Sequence, residues 1–420
     1  MELFADRLIN QGAALLGVSI VMPCLDEIQS LDHCIANARA ALDEIERVHG
    51  LSGEIVIADN GSTDGSQALA TRLGARVVPV SRKGYGAAVI GGFDAAWGEF
   101  LVMGDCDGSY DFRDAVPMIS RLLAGADLVM GSRFKGGIAP GAMPWKNRFI
   151  GNPALTGILN LFFQSGISDA HCGLRAIRKA AYARLGLTSD GMEFASEMVI
   201  KAALLGLDMR EVPAKLLPDL RDRPPHLRPW RDGWRHLRYL FMLSPTWVFG
   251  VPALAAFALA AKILLTSMLH RTGLLPGTGH YGDSWVILGG FMVSVGHFAA
   301  MMALATHLHG VNQGYRKMGA GLRRFGAWLT LESVLLVGAG LLALSGLGFG
   351  YTFWRWAQGS YHALPSVLPV VLAAMTGAVG CQTIMGGFLL AIIAGHKAKI
   401  VDRIHALPPL SRDVARDLAA

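Results

Sequence analysis

Phe100-Leu101-Val102-Met103-Gly104-Asp105-Cys106-Asp107 begins as a short apolar run and ends in two carboxylates. An apolar run of this length closed by a turn signal reads as a buried strand. Residues 100–104 are therefore expected to form a strand with Asp105 and Asp107 at its carboxyl end. Outward from it the same pattern recurs. Residues 18–22, 54–58, 75–80 and 127–130 are further strand candidates, and an amphipathic stretch from 30 to about 48 follows the first of them. Strand, loop and helix repeated at this spacing predict βαβ units and a mostly parallel, Rossmann-like α/β sheet. Ligands of such sheets sit at the carboxyl ends of the strands. Every acid-rich or glycine-rich loop considered below falls at one of those ends.

Two carboxylates two residues apart at a strand end can turn toward one hard cation. Mg²⁺ or Mn²⁺ prefers such oxygen ligands and is commonly shared with substrate phosphates. Asp59-Asn60-Gly61-Ser62-Thr63-Asp64 ends the second strand. Ser62 or Thr63 there is expected to cap a helix, and the flanking acids suit a base and a ribose. Arg82-Lys83-Gly84-Tyr85-Gly86-Ala87-Ala88 is expected to open a helix whose N-terminus favours an anion, although it is not a Walker loop. Gly131-Ser132-Arg133 follows the fifth strand. Its arginine supports two readings, a phosphate ligand or the partner of a nearby acid.

The second half of the chain differs. Residues 245–266, 284–306, 327–347 and 365–395 are four apolar segments, each long enough to cross a bilayer core of about 30 Å. Charged residues make up only 17% of the chain, well below the roughly one quarter of a soluble domain, and these segments account for the deficit. The arginines before the first segment, Arg316, Lys317, Arg323 and Arg324 between the second and third, and Lys397, Lys399 and Arg403 in the tail outweigh Arg271 and Arg355 in the other loops. The positive-inside rule then places both termini and the α/β domain in the cytoplasm. His297 and Glu332 are the ionisable residues read within spans. The net charge of +6 fits anionic lipid and a phosphorylated substrate, and no groove-reading motif suggests nucleic acid. The five cysteines show neither metal-ligand spacing nor a disulfide framework. Residues 1–17 carry Glu2 and Asp6 and lack the features of a signal peptide.

Taken together, Pro23, Asp26-Glu27, Asp59 to Asp64, Gly84-Tyr85-Gly86, Asp105-Cys106-Asp107 and Gly131-Ser132-Arg133 resemble glycosyltransferase family 2. Their order is similar to the dolichyl-phosphate mannosyltransferase and polyprenyl-phosphate glucosyltransferase branch. The resemblance implies a GT-A fold and an inverting, metal-dependent transfer. It implies that Pro23, Asp26, Glu27, Asp59 and Asp64, with Lys83, Gly84 and Asp105, line the nucleotide-sugar site. Asp105 and Asp107 would hold Mg²⁺ or Mn²⁺ and the donor diphosphate, and Asp107 and Arg133 would be catalytic. Asp26 stands where relatives carry Asn, Gly108-Ser109-Tyr110 follows the second acid in place of Leu-Gln or Leu-Ser, and Cys172 replaces a serine in the segment from Asp169 to Arg175. Gly191-Met192-Glu193-Phe194 also resembles a family segment. No Q-x-x-R-W motif of the processive synthases is present. The stretch from Arg221 to Arg238 takes its place and reads as an interfacial helix after its prolines.

The organisation expected is a leader at 1–17, a GT-A domain at 18–215, a basic juxtamembrane segment at 216–243, a four-span helical domain at 244–395 and a cytoplasmic tail at 396–420. The function expected is transfer of a hexose from a UDP- or GDP-sugar to polyprenyl phosphate at the cytoplasmic face of the cell inner membrane. Arg133, Arg175, Arg221, Arg228 and Arg231 are the candidates for the acceptor phosphate. Transfer to another lipid or a growing polysaccharide, and transport or scaffolding of a lipid-linked sugar, are the alternatives. A homo-oligomer is left open.

Overall fold

Seven strands form a single sheet in the first half of the chain. In the computed structural model, which describes residues 17–221, 229–275, 282–362, 364–396 and 399–400, they are β1 (Val18–Cys24), β2 (Gly53–Asp59), β3 (Arg76–Pro79), β4 (Phe100–Met103), β5 (Leu128–Ser132), β6 (Arg175–Arg178) and β7 (Met209–Pro213). Their order is β3-β2-β1-β4-β6-β5-β7. All neighbours are parallel except β6, which runs antiparallel to both β4 and β5. The mostly parallel sheet matches the expected GT-A class.

The helices that cover the sheet are α1 (Leu31–His49), α2 (Ser66–Arg72), α3 (Tyr85–Ala95), α4 (Ala115–Leu123), α5 (Arg133–Gly136), α6 (Asn152–Phe163), α7 (Lys179–Leu185) and α8 (Phe194–Leu205), followed by α9 (Pro229–Met242). The first shows why the pattern folds as it does. Leu31, Cys34, Ile35, Ala38, Ala41 and Ile45 recur at helical spacing and are all buried, so one face meets the sheet while the charged face meets water. Gly50 ends the helix in the left-handed region at φ 68°. Beneath it, Val18, Ile20 and Met22 of β1 are fully buried, each contributing about 1.5–3 kcal/mol by leaving water.

Three local expectations need correction. Ser62 and Thr63 do not cap α2. Gly65 occupies that position without a side-chain bond, because Asp64 already accepts from the Ser66 amide at 3.0 Å and its hydroxyl at 2.6 Å. Gly131 and Ser132 lie inside β5, paired with Val212 and Pro213 of β7. Strands β6 and β7 lay outside the sequence reading, since arginines bracket the first and Arg210 and Glu211 interrupt the second, an edge strand whose charges discourage further pairing.

The chain divides into two units, Met1–Leu243 and Ser244–Ala420. The second holds α10 (Val251–Arg271), α11 (Asp283–Asn312), the short α12 (Ala320–Phe325), α13 (Leu331–Gln358) and α14 (Leu368–Ile393). Among the described residues four helices, Thr246–Arg271, Asp283–Asn312, Leu331–Gln358 and Leu368–Ile393, are long and apolar enough to cross a membrane. Glu332 lies in the first turn of α13, beside the capping box of Thr330 and Ser333. His297 joins α11 to α14 through Gln382 at 3.1 Å and Thr383 at 3.2 Å, and Gln382 donates onward to Ser294 at 2.9 Å. Such polar links hold helices together where lipid offers no hydrophobic drive. All five cysteines are free thiols.

Candidate active site

Parallel strands β1, β2 and β4 end side by side, so their loops share one rim. At the end of β1 the chain turns through Asp26 at φ 56°, a left-handed conformation that Asn and Asp tolerate better than other side chains. This explains how Asp replaces the family's Asn. Asp26 Oδ1 accepts from the Thr63 amide at 2.7 Å, and the Ser62 hydroxyl accepts from the Asp26 amide at 3.0 Å. Its carboxylate therefore ties two loops together.

Asp59 is spent in the same way. Its oxygens accept from the Gly61 amide at 3.0 Å, the Ser62 amide at 3.2 Å and Gln67 Nε2 at 2.6 Å. Asp64 Oδ2 accepts from the Ile28 amide at 3.0 Å. Asn60, absent from the sequence-based site, clamps the next loop. Its Nδ2 donates to the Arg82 carbonyl at 2.8 Å while its Oδ1 accepts from the Gly84 amide at 2.8 Å. Lys83 Nζ donates to the Asn60 carbonyl at 2.6 Å. Asp26, Asp59, Asp64, Lys83 and Gly84 thus build the rim, with Pro23 half-buried at its base.

The N-terminus of α3 is not the open anion cradle that the loop suggested. A Cβ on Gly84 would lie 2.2 Å from the Asp190 carbonyl, and one on Gly86 would lie 2.2 Å from that of Ser189. Only glycine lets that segment lie flat across the helix end. Glu197 shapes the segment from beneath, accepting from the amides of Thr188 at 3.1 Å and Ser189 at 2.9 Å and pairing with Lys201 at 2.7 Å. The packing also fixes Tyr85, whose hydroxyl donates to Asp105 Oδ1 at 2.8 Å. Tyr85 was legible only as the residue between two glycines.

Four carboxylates face one another at the centre. Burial, and then the charge of Asp107, push the Asp105 carboxyl up to about 6. Asp107 is 8% exposed and Glu27 is 7% exposed. Arg221 spans them, with Nη1 3.2 Å from Glu27 Oε1 and Nη2 2.7 Å from Asp107 Oδ2, and it also meets Asp219 at 3.1 Å. The acids that the sequence separates by 80 positions are therefore one cluster, held by a cation from a segment 114 residues beyond Asp107.

Two of the arginines proposed for a phosphate are committed elsewhere. Arg133 donates from Nε and Nη2 to the two oxygens of Asp169, both at 2.7 Å, and its amide adds a third bond at 3.0 Å. The ion-pair reading of this residue is the one realised. Arg175 is 1% exposed and donates to the carbonyls of Cys172 at 2.8 Å, Ala195 at 2.8 Å and Ala170 at 3.1 Å. A guanidinium so placed holds backbone together, and its assignment to the acceptor phosphate is corrected. Cys172, where the family has serine, is buried against Gly131, whose Cβ would lie 2.9 Å from its sulfur. Arg231 is exposed on α9, and Arg228 lies outside the described residues.

The glycosyl transferase family 2 model matches residues 19–186. A second model, the family 2 C-terminal transmembrane region, matches residues 304–394. The low-salt glycan biosynthesis hexosyltransferase Agl6 of Haloferax volcanii is 33% identical over 380 residues, covering 89% of this chain and 88% of that protein. The dolichyl-phosphate hexose transferase of the same organism is 28% identical over 47% of this chain and 81% of that protein. The polyprenol monophosphomannose synthase of Mycolicibacterium smegmatis is 29% identical over 46% and 75% respectively. Among solved structures, glucosyl-3-phosphoglycerate synthase from Mycobacterium tuberculosis, in complex with Mn²⁺, UDP and glucosyl-3-phosphoglycerate, aligns with a TM-score of 0.38 at 19% identity, over 63% of this chain and 82% of that one. The full-length match, joined to the two family regions in their expected order, makes this chain a hexosyltransferase with a membrane-spanning region, a member of glycosyltransferase family 2.

Proposed function

We infer that the enzyme transfers a hexose from a UDP- or GDP-sugar to a polyprenyl phosphate, with inversion, at the cytoplasmic membrane face. The observation that carries this reading is the acid cluster of Asp105, Asp107 and Glu27 at the strand ends, bridged by Arg221. The relatives named for dolichyl phosphate and polyprenol phosphate support the acceptor class. The distribution of Lys and Arg supports the orientation.

The donor set suits Mg²⁺ or Mn²⁺. Asp105 and Asp107 supply carboxylate oxygens, and Asp105 is a carboxyl raised by burial and then by its neighbour's charge, the second of which a divalent cation relieves. Among the described residues no group of three or more His, Cys, Asp or Glu side chains is arranged for a metal. Magnesium commonly takes one or two carboxylates and completes its shell with substrate phosphates and water. When bound, the cation neutralises the departing diphosphate as a Lewis acid.

The acceptor phosphate monoester has a second pKa near ~6 and is already nucleophilic at neutral pH, so no general base is required. One of its oxygens forms a bond to the anomeric carbon as the bond from that carbon to the donor diphosphate breaks. What the chain supplies is alignment and charge. We assign the incoming phosphate to Arg221 and Arg231, while Arg133 and Arg175 hold the frame. Trp145, Phe149 and Ile150 are exposed at 61%, 68% and 57%, next to Lys146 and Arg148. On α9, Trp234 and Met242 are exposed as well. Aromatic side chains flanked by cations suit the headgroup layer.

The direct test is transfer from radiolabelled UDP- and GDP-sugars to undecaprenyl phosphate in detergent, with Mg²⁺, Mn²⁺ or EDTA. Metal-dependent label in the lipid phase is the expected result. Donor hydrolysis without lipid label would move the acceptor assignment to another molecule.

A further inference from the structure

Gly108-Ser109-Tyr110 is where the chain departs from the family after its second acid, and the structure gives that departure a purpose. Residues 216–221 lie across it as a strap. Leu216 forms an antiparallel bridge with Tyr110. The Leu217 amide donates to the Ser109 carbonyl at 2.9 Å, and the Leu220 amide donates to the Asp107 carbonyl at 2.9 Å. Gly108 adopts φ +79°, and a Cβ there would lie 2.7 Å from Leu220 Cδ1. Glycine is thus required twice, for the backbone and for the approach of the strap. The strap ends in Arg221.

Arg221 sits where a cation is wanted. It meets Asp107, Glu27 and Asp219 at once, with its side chain 12% exposed. Both Asp107 oxygens are engaged, Oδ1 by the Ser109 amide at 2.9 Å and Oδ2 by Arg221. Yet Arg221 Nε is buried with no hydrogen-bond partner among the described residues. A buried donor left unmade is costly, and Arg133, by contrast, spends its Nε on Asp169. The arrangement thus leaves one buried donor of the arginine unused at the centre of the acids.

We propose that Arg221 is a built-in counterion that occupies the acid cluster until the metal and donor diphosphate displace it, so that the strap admits the acceptor phosphate only after the donor has bound. The inference rests on the metal reading above and adds an order to it. Without the cation, three carboxylates repel one another. With it, one of those negative charges is balanced and a divalent ion must compete for Asp107. Released from Asp107, the guanidinium at the end of the strap is free to meet a phosphate, for which its planar fork is suited. The same residue then opposes metal binding in the empty enzyme and favours acceptor binding in the loaded one.

The test is Mn²⁺ binding to the full chain in detergent, measured by electron paramagnetic resonance of free Mn²⁺, without nucleotide and then with UDP. R221Q is expected to bind Mn²⁺ about tenfold more tightly than the wild type without nucleotide, the scale on which a neighbouring charge moves a carboxylate equilibrium. R221K, which keeps the charge but cannot bridge two acids in a fork, should fall between. Mn²⁺ should also raise the melting temperature of R221Q more than that of the wild type, a readout that requires no turnover. G108A, whose added methyl pushes Leu220 and with it Arg221 away from the acids while keeping the guanidinium in the chain, should tighten Mn²⁺ binding in the same direction. If the wild type binds Mn²⁺ with UDP while R221Q binds it no more tightly than the wild type without UDP, the counterion role is overturned and the metal site stands. If the wild type binds no Mn²⁺ even with UDP, the metal reading falls and takes this one with it.

Discussion

Two arginine–carboxylate arrangements lie in the same unit, and they are built for opposite purposes. Arg133 and Asp169 meet fork to fork, with side chains 9% and 0% exposed, and the Asp169 carboxylate also accepts from the Arg133 and His171 amides. The backbone amide, Nε and Nη2 of Arg133 all donate to that one carboxylate. Arg221 instead reaches three acids from the end of a strap, one contact to each, and leaves Nε without a bond. The first is architecture that happens to be charged. The second is the proposed exchangeable cation, set over the proposed metal ligands. Sequence alone ranked the two arginines the other way, because position after a strand end says where an arginine starts and not what it meets.

The largest difference should appear on substituting the acids. Asp107→Ala removes the oxygen that Arg221 contacts and the proposed metal ligand. Turnover is expected to fall by about 10³ or more, the scale of losing a principal charge-stabilising group, while folded protein persists. Full activity in that variant, measured in the lipid-transfer assay, would break the distinction at its active end. Asp169→Asn should do the reverse and act through stability. It leaves Arg133 buried opposite a neutral group, and loss of one partner of a buried pair typically costs about 3–5 kcal/mol. Denaturant unfolding in detergent reads that loss. An Asp169→Asn enzyme of wild-type stability with no activity would mean that the pair is functional after all.

Tyr85→Phe sharpens the active side. It removes one hydroxyl from Asp105 and keeps the ring against Phe194, whose centroid lies 6.5 Å away. Groups that orient a metal-binding carboxylate typically contribute about 10–100-fold in metal affinity. The expected result is a weaker Mn²⁺ requirement curve in that range, with the donor KM following it and the melting temperature little changed. An unchanged Mn²⁺ dependence would show that Asp105 holds its orientation without Tyr85.

Much of this contrast lies beyond what a single sequence displays. The five strands that lead the sheet, the acid pair after β4 and the four apolar spans follow from periodicity and from where acids interrupt apolar runs, which are local properties. Strands β6 and β7 are short and carry Arg175, Arg178, Arg210 and Glu211, so their apolar faces leave no periodic trace. The partners are harder still. Asp59 and Asp64 look like free ligands in a list of residues, but backbone amides of their own loop and of the neighbouring one consume their oxygens. Tyr85 meets Asp105 only because Gly84 and Gly86 press α3 against residues 189–191. The family resemblance named Asp105 and Asp107 but contained no counterpart for the strap, since that feature uses the three residues in which this chain departs from its relatives.

His171 provides the smallest test, on the architectural side. It is half-buried, and desolvation first, then His236, Arg133 and Arg175, hold its imidazole well below the usual value of 6.5. The side chains around it are His236, the two guanidinium cations and Ser196, whose hydroxyl lies 3.4 Å from Nε2 and 2.8 Å from His236 Nδ1. Asp169 faces its amide rather than its ring. The folded protein thus keeps His171 neutral in a range where the unfolded chain protonates it. As pH falls below about 6.5, the unfolded state binds the extra proton, and stability falls with it. The slope approaches about 1.4 kcal/mol per pH unit for one such group. Melting temperatures of the full chain at pH 7.5 and 5.5 should therefore separate further in the wild type than in His171→Asn. If both lose the same amount, the acid sensitivity arises at other groups, and the region around Arg133 is as insensitive to protons as it is closed to ligands.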